Sequence, residues 1–241
     1  MPTKATKSDE KKQQKVAQKL YVQSLAAARK GDPEACFRVA RCLEDGVGCP
    51  TGLPQDVRGA EFASWLRKAA DLGHADAQVR LGDETLQSHP EVAIAWYRKA
   101  ASQGHVAGLY NLGDAYLVGY GVEQNFAEAA KHFRRVLHTD ADDKKTMMMA
   151  TFQLANLYER GEGVEQDHAE ASRLYVMYTT APAGAVTEAL SDEYPSWLGK
   201  AHLAIAQCYA GVGAELNAVK GFEAGPYTSL LFSLTGAPQS A

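Results

Sequence analysis

The sequence predicts an all-α protein in which one helix pair is repeated side by side. Three observations carry that expectation. Two stretches, "LYNLGDAYLVGYGVEQNFAEAAKHF" from Leu109 and "TFQLANLYERGEGVEQDHAEASRLY" from Thr151, match densely at a shift of 42 residues. Apolar residues inside them recur at the spacing of a helix face. Glycines interrupt that spacing at the same point in both copies, Gly119 and Gly121 in one, Gly161 and Gly163 in the other. A lone helix pair leaves an apolar outer face, and a neighbouring copy covers it, which is a physical reason to repeat the phrase.

Taken in order, residues 1–8 read as a disordered polar lead and residues 9–31 as a capping helix. Ser8 is its expected cap, Gly31 its stop, and Val16, Leu20, Tyr21 and Leu25 its expected apolar face. Repeats then fill residues 32–225, and residues 226–241 form a C-terminal cap and tail around "YTSLLFSL". The first copy begins "FRVARCLEDGVG", with Val39 in the place of Leu112 and Gly46 and Gly48 as its glycine pair. The second begins "AQVRLGDETL" and has "QSHP" where the glycines should stand. Trp65 and Trp96, 31 residues apart, mark one site on the second helices of these two copies.

In the third copy the first helix is expected over residues 106–118 and the second from Phe126, with Ala127, Ala130, Phe133 and Val136 inward. Small residues Ala127, Ala129, Ala169 and Ala171 are expected to let helix axes approach closely. Tyr116, Phe133, Tyr158 and Tyr175 then fill the space left. The fifth copy is "KAHLAIAQCYAGVG", with Ile205 and Tyr209 in phase and a poor second helix after it. Matched sites are thus 42, 31, 42 and 51 residues apart. The extra length falls at residues 139–145 and 179–196, read as tolerated insertions in preference to recognition loops.

The chain has 241 residues, 46% of them apolar, enough for a sizeable core. Its net charge of −4 selects no partner. Residues 1–30 hold eight Lys or Arg against Asp9 and Glu10, a formal +6. That arm reads as a solvated helix face before it reads as a contact for nucleic acid or an anionic membrane. No apolar run suits a membrane span, and no secretory or lipidation pattern is visible. Cys36, Cys42, Cys49 and Cys208 do not follow the repeat, so free thiols in a cytoplasmic setting are expected.

The phrase Leu112-Gly113 with Tyr116, then Gly119-x-Gly121-Val122, then Ala127 and Ala129, together with "WYRKAASQGH" at Trp96, resembles the Sel1-like repeat (SLR) family, a branch of the tetratricopeptide superfamily. The resemblance covers roughly residues 33–213. It implies a right-handed α/α superhelix, a solenoid of about five helix-turn-helix repeats with capping helices. It also implies an adaptor role in bacterial signalling, secretion or host interaction, or in eukaryotic quality-control complexes. Two departures stand out. The second copy lacks the glycine loop, and the cysteines cluster in the first copy, unlike relatives with a disulfide in every repeat.

Chemistry-bearing patterns are scarce. Cys36, Cys42 and Cys49 stand six and seven apart, which does not suit paired zinc ligands, so no metal or cofactor is expected. None of the seven histidines forms a ligand spacing. His74 and His105 follow Gly73 and Gly104 at equivalent places and read as junction packing or carbonyl caps. The glycine pairs follow helices and not strands, so they are no phosphate-binding fingerprint. "TMMMATF" at Thr146 reads as partly core at a helix start.

By analogy with tetratricopeptide grooves, the residue two after the Leu112 site faces the concave side. Through five copies that row is Arg41, Asp83, Asp114, Asn156 and Gln207, all polar. Arg38, Arg80, Asn111 and Gln153 flank it. Charges and amides of this kind suit an extended peptide or a folded surface. No Lys and Asn set of the type that clamps a terminal carboxylate is present, so an internal segment is expected. The expected function is a non-enzymatic scaffold binding a protein partner through this stripe. The alternative is a repeat-based enzyme or a sensor of small molecules such as cell-wall fragments.

Overall fold

Local signals set where each helix begins and ends. In a computed structural model, residues 7–50, 52–140 and 142–180 are described. Among them are nine helices and no strand: α1 (Lys7–Arg29), α2 (Pro33–Asp45), α3 (Gln55–Asp71), α4 (Ala75–Thr85), α5 (Pro90–Ser102), α6 (Val106–Val118), α7 (Phe126–Leu137), α8 (Lys144–Arg160) and α9 (His168–Thr180). Asp32 caps α2, its carboxylate accepting from the Ala35 amide at 3.1 Å, and Pro33 takes the first helical position. Asn125 and Asp143 cap α7 and α8 in the same way. Gly46, Gly119 and Gly161 end α2, α6 and α8 in the left-handed region. The expected fifth repeat, Gln207, most of the 179–196 insert and the C-terminal cap lie outside the described residues.

The chain divides into two compact units, residues 1–124 and 125–241. In the first, α1 to α6 pack in chain order, each on the next, and α4 also touches α6. First helices of neighbouring repeats are tied directly. Arg80 of α4 pairs with Glu44 of α2, and Asn111 of α6 donates to Asp83 of α4 at 3.2 Å. Second helices are tied by Arg67 of α3, whose guanidinium lies 5.6 Å from the Trp96 ring of α5. In the second unit, α7 packs on α8 and α8 on α9.

Core positions follow the repeat. Val39, Leu81, Leu112 and Leu154, one from each copy, are all buried. So are Leu66, Tyr97, Phe133 and Tyr175, which stand at one matched place on the second helices. Ala129 and Ala171 are buried as expected, but Ala127 and Ala169 are exposed. These two sit in the first turn of α7 and α9. Tyr116 and Tyr158 are half-buried, not core. Their hydroxyls are reached instead by arginines one helix back, Arg98 at 3.2 Å and Arg134 at 2.9 Å.

The capping helix packs through only part of its expected apolar face, Tyr21 and Leu25. Val16 and Leu20 are exposed, while Tyr21, Ser24 and Ala28 are buried. The reason is closeness: a Cβ on Gly48 would lie 2.4 Å from the Ala17 carbonyl oxygen, so small residues must line this contact. The insert expected at residues 139–145 is shorter than read, because α8 already begins at Lys144. Met148 is buried at the start of that helix.

Candidate functional site

The site is built on the phrase Leu81-Gly82-Asp83 and its copy Leu112-Gly113-Asp114. Leu81 and Leu112 anchor α4 and α6 in the core. Two residues further along a helix the direction turns through about 200°, so the aspartates face away from it. Gly82 makes room for a ring: a Cβ there would lie 2.3 Å from Tyr97 Cε1. With that room the Tyr97 side chain lies flat against α4 and is only 2% exposed. Its hydroxyl donates to Asp83 Oδ1 at 2.7 Å, and Asn111 Nδ2 donates to the same oxygen at 3.2 Å.

These groups line a cavity of about 180 Å³ among α4, α5 and α6, with Leu86, Asp114, Ala115, Val118 and Tyr120 completing the wall. Burial pushes the Asp83 carboxyl up, against the pull of Tyr97 and Arg80. Burial also pushes Asp114 up, and it has no opposing partner among the described residues. Tyr97 is pushed up strongly by burial and then by Asp83. A half-buried Asp114 carboxylate with no cation acting on it among the described residues is electrostatically costly in the free protein.

A Sel1 repeat model matches residues 33–74, 75–105, 106–135 and 149–176, more than half of the chain. The chain belongs to the Sel1 repeat family. Among solved structures, a protective antigen present in uropathogenic Escherichia coli strains and displaying an SLR fold is similar at 25% identity. The match covers 85% of this chain and 44% of that one, with a TM-score of 0.55. A Sel1 repeat protein from Oxalobacter formigenes is similar at 22% identity and a TM-score of 0.57, covering 78% of this chain and 80% of that one. No curated protein matches. The general role that goes with Sel1 repeats is non-enzymatic protein interaction.

Within this Sel1 frame the predicted stripe residues are placed unevenly. In the first unit Arg38, Arg41, Arg80 and Asp83 are exposed, and Asn111 and Asp114 are half-buried. Arg38 pairs with Glu34 at 3.7 Å, and Arg80 is held by Glu44 and by Glu84 at 3.6 Å. Those two arginines are therefore already engaged. Arg41 makes no ion pair among the described residues. In the second unit Gln153 and Asn156 are half-buried. Asn156 Oδ1 accepts from Tyr175 at 2.7 Å, as Asp83 accepts from Tyr97, so the Sel1 repeat reuses one tyrosine-to-stripe bond.

Histidine chemistry corrects one reading. His74 and His105 cap helix N-termini and do not cap carbonyls. Their Nδ1 atoms accept from the amides of Ala77 and Gly108, both at 3.3 Å. A nitrogen that accepts carries no proton, so Nε2 holds it and donates onward. His74 donates to Glu34 at 2.8 Å and His105 to Asp76 at 3.1 Å. Glu34 and Asp76 are each the second residue of the preceding first helix, so every ring ties two repeats. The spacing of 40 and 29 residues hides both pairs from the sequence. Among the described residues no group of three or more His, Cys, Asp or Glu is placed to hold a metal, and no helix is long and apolar enough to cross a membrane.

Proposed function

We propose that this chain is a scaffold that holds a partner protein against the first-helix face of its repeats. The observation that supports the reading is the row Arg41, Asp83 and Asp114 on successive first helices, with Asp114 half-buried and without a partner among the described residues. Polar groups kept half-buried at a cost to stability are a mark of a surface kept for binding. An internal peptide segment or a folded surface fits better than a chain terminus, because no carboxylate clamp is formed. A cytoplasmic setting belongs to the same proposal. Its support is that Cys36, Cys42 and Cys49 are free thiols, with Cys36 and Cys49 buried.

The test compares the wild-type chain with a variant carrying Arg41→Ala, Asp83→Ala and Asp114→Ala. Both are tagged, exposed to extract of the source cell and analysed by mass spectrometry. The expected outcome is unchanged helical circular dichroism with loss of the partner retained by wild type. The same set of retained proteins in both samples would refute docking on this face.

A further inference from the structure

We propose that the cavity formed by Asp83, Tyr97, Asn111 and Asp114 receives an arginine side chain of the partner polypeptide. This rests on the docking reading above and adds the chemistry of what is recognised.

The hydrogen-bond inventory argues first. Tyr97 Oη–H and one Asn111 Nδ2–H go to Asp83 Oδ1. The charged groups of the lining, the Asp83 and Asp114 carboxylates, are acceptors only, and no Lys or Arg is among the lining residues. An acceptor-rich lining calls for a donor-rich guest. The guanidinium offers five donors in one plane and always carries its charge.

The rim argues second. Val118 is 60% exposed and Tyr120 39% exposed, and Leu86 and Ala115 lie beside them in the same wall. Carboxylates and apolar side chains in one lining match the two halves of an arginine, charged head and aliphatic stem. Tyr120 adds an aromatic ring at the height of that stem or head. A cavity of about 180 Å³ suits one such side chain and not a large ligand.

Charge balance argues third. The nearest cation acting on Asp83 is Arg80, which is held by Glu44 and Glu84. Among the described residues no cation acts on Asp114, and burial pushes its carboxyl up. An incoming guanidinium supplies a countercharge where Asp114 is already partly desolvated. Three acidic or imidazole ligands do not converge here, so the guest is an organic cation and not a metal ion.

The probe is a blocked Gly-Gly-Arg-Gly-Gly peptide, titrated into the full chain and followed by amide NMR. Its citrulline counterpart keeps the shape but lacks the charge and carries a carbonyl oxygen in place of one nitrogen donor group. Spermidine serves as a free organic cation. The arginine peptide is expected to move the amide signals of Asp83, Asn111 and Asp114. The citrulline peptide, and the arginine peptide with the Asp114→Asn chain, are each expected to bind at least about tenfold more weakly, the scale of one charge-assisted bond. Asp83→Asn gives the same readout should Asp114→Asn lose dispersed signals. Equal binding of the two peptides, shifts confined to other residues, or no shifts at all overturn the proposal. Tighter binding of spermidine than of the arginine peptide also overturns it, in favour of a free polyamine site. A negative peptide result beside a lost partner in the extract comparison would leave docking intact and remove only the arginine.

Discussion

Gly163 lies against the backbone of Ala127: a Cβ on the glycine would stand 2.3 Å from the Ala127 amide nitrogen. Gly121 meets Pro90 in the same manner, with its virtual Cβ 2.7 Å from the Pro90 carbonyl oxygen. In each case the second glycine of the G-x-G loop presses on the start of the preceding second helix. The first glycine of the pair, Gly119 or Gly161, ends its helix in the left-handed region. One glycine turns the chain and the other docks it on the previous repeat. The doubled phrase "GVEQ" therefore specifies architecture.

Gly163→Ala should cost about 1–3 kcal/mol, since it adds both a backbone clash and a side chain at φ +68°. Gly31→Ala is the control. It also has positive φ, but nothing lies within 4 Å of its virtual Cβ. Urea unfolding of both variants checks this. Equal losses would show that docking adds nothing to the turn.

The Tyr97 to Asp83 bond is the next target. Tyr97→Phe removes a donor from the Asp83 carboxylate and should cost about 1 kcal/mol, while the ring keeps its packing. Gly82→Ala should cost more than that, because the ring itself must move from a contact of 2.3 Å. Thermal melts rank the two. A smaller loss for Gly82→Ala would mean the ring relocates freely.

Acid should loosen the His105 to Asp76 tie. The hydrogen bond from His105 holds the Asp76 carboxyl below its ordinary value of 3.8. A lowered folded value means the contribution is complete above about pH 4 and is lost as pH falls through the lowered value. His105→Asn keeps an N-cap for α6 but shortens the side chain away from Asp76. Carboxyl NMR titration should then show Asp76 rising toward 3.8. No change on substitution would assign the depression to another group.

Much of the core was legible because burial repeats with the phrase. Val39, Leu81, Leu112 and Leu154 follow from phase alone, as do Phe133 and Tyr175. The face of α1 was legible in part: of Val16, Leu20, Tyr21 and Leu25, Tyr21 is buried and Leu25 packs on the core, while Val16 and Leu20 are exposed and Ser24 and Ala28 are buried in their place. Ala127 and Ala169 share the phrase but not the burial, since a first-turn residue need not follow the stripe below it. The stripe aspartates follow from phase, while Tyr97 as the donor to Asp83 does not, because the two lie 14 residues apart on different helices. A contrast tests this division. Phe133→Ala should cost about 3–5 kcal/mol as a fully buried ring. Tyr158→Ala, half-buried and bonded to Arg134, should cost clearly less.

Asp114 gives the last prediction, and its sign is unusual. Most substitutions of a partly buried polar residue destabilise, but this carboxylate is desolvated with no partner among the described residues. Asparagine keeps the shape without the charge. Asp114→Asn should therefore raise Tm at pH 7. Because burial lifts the folded value, the folded protein takes up the proton first as pH falls. The penalty on wild type is thus present above the folded value and fades below it. The gap in Tm between wild type and variant should narrow steadily as pH is lowered from 7 toward 4. A gap that stays constant across that range, or a variant less stable at pH 7, would show that the Asp114 carboxylate is compensated after all, and the cavity would then have no unmet charge to offer a guest.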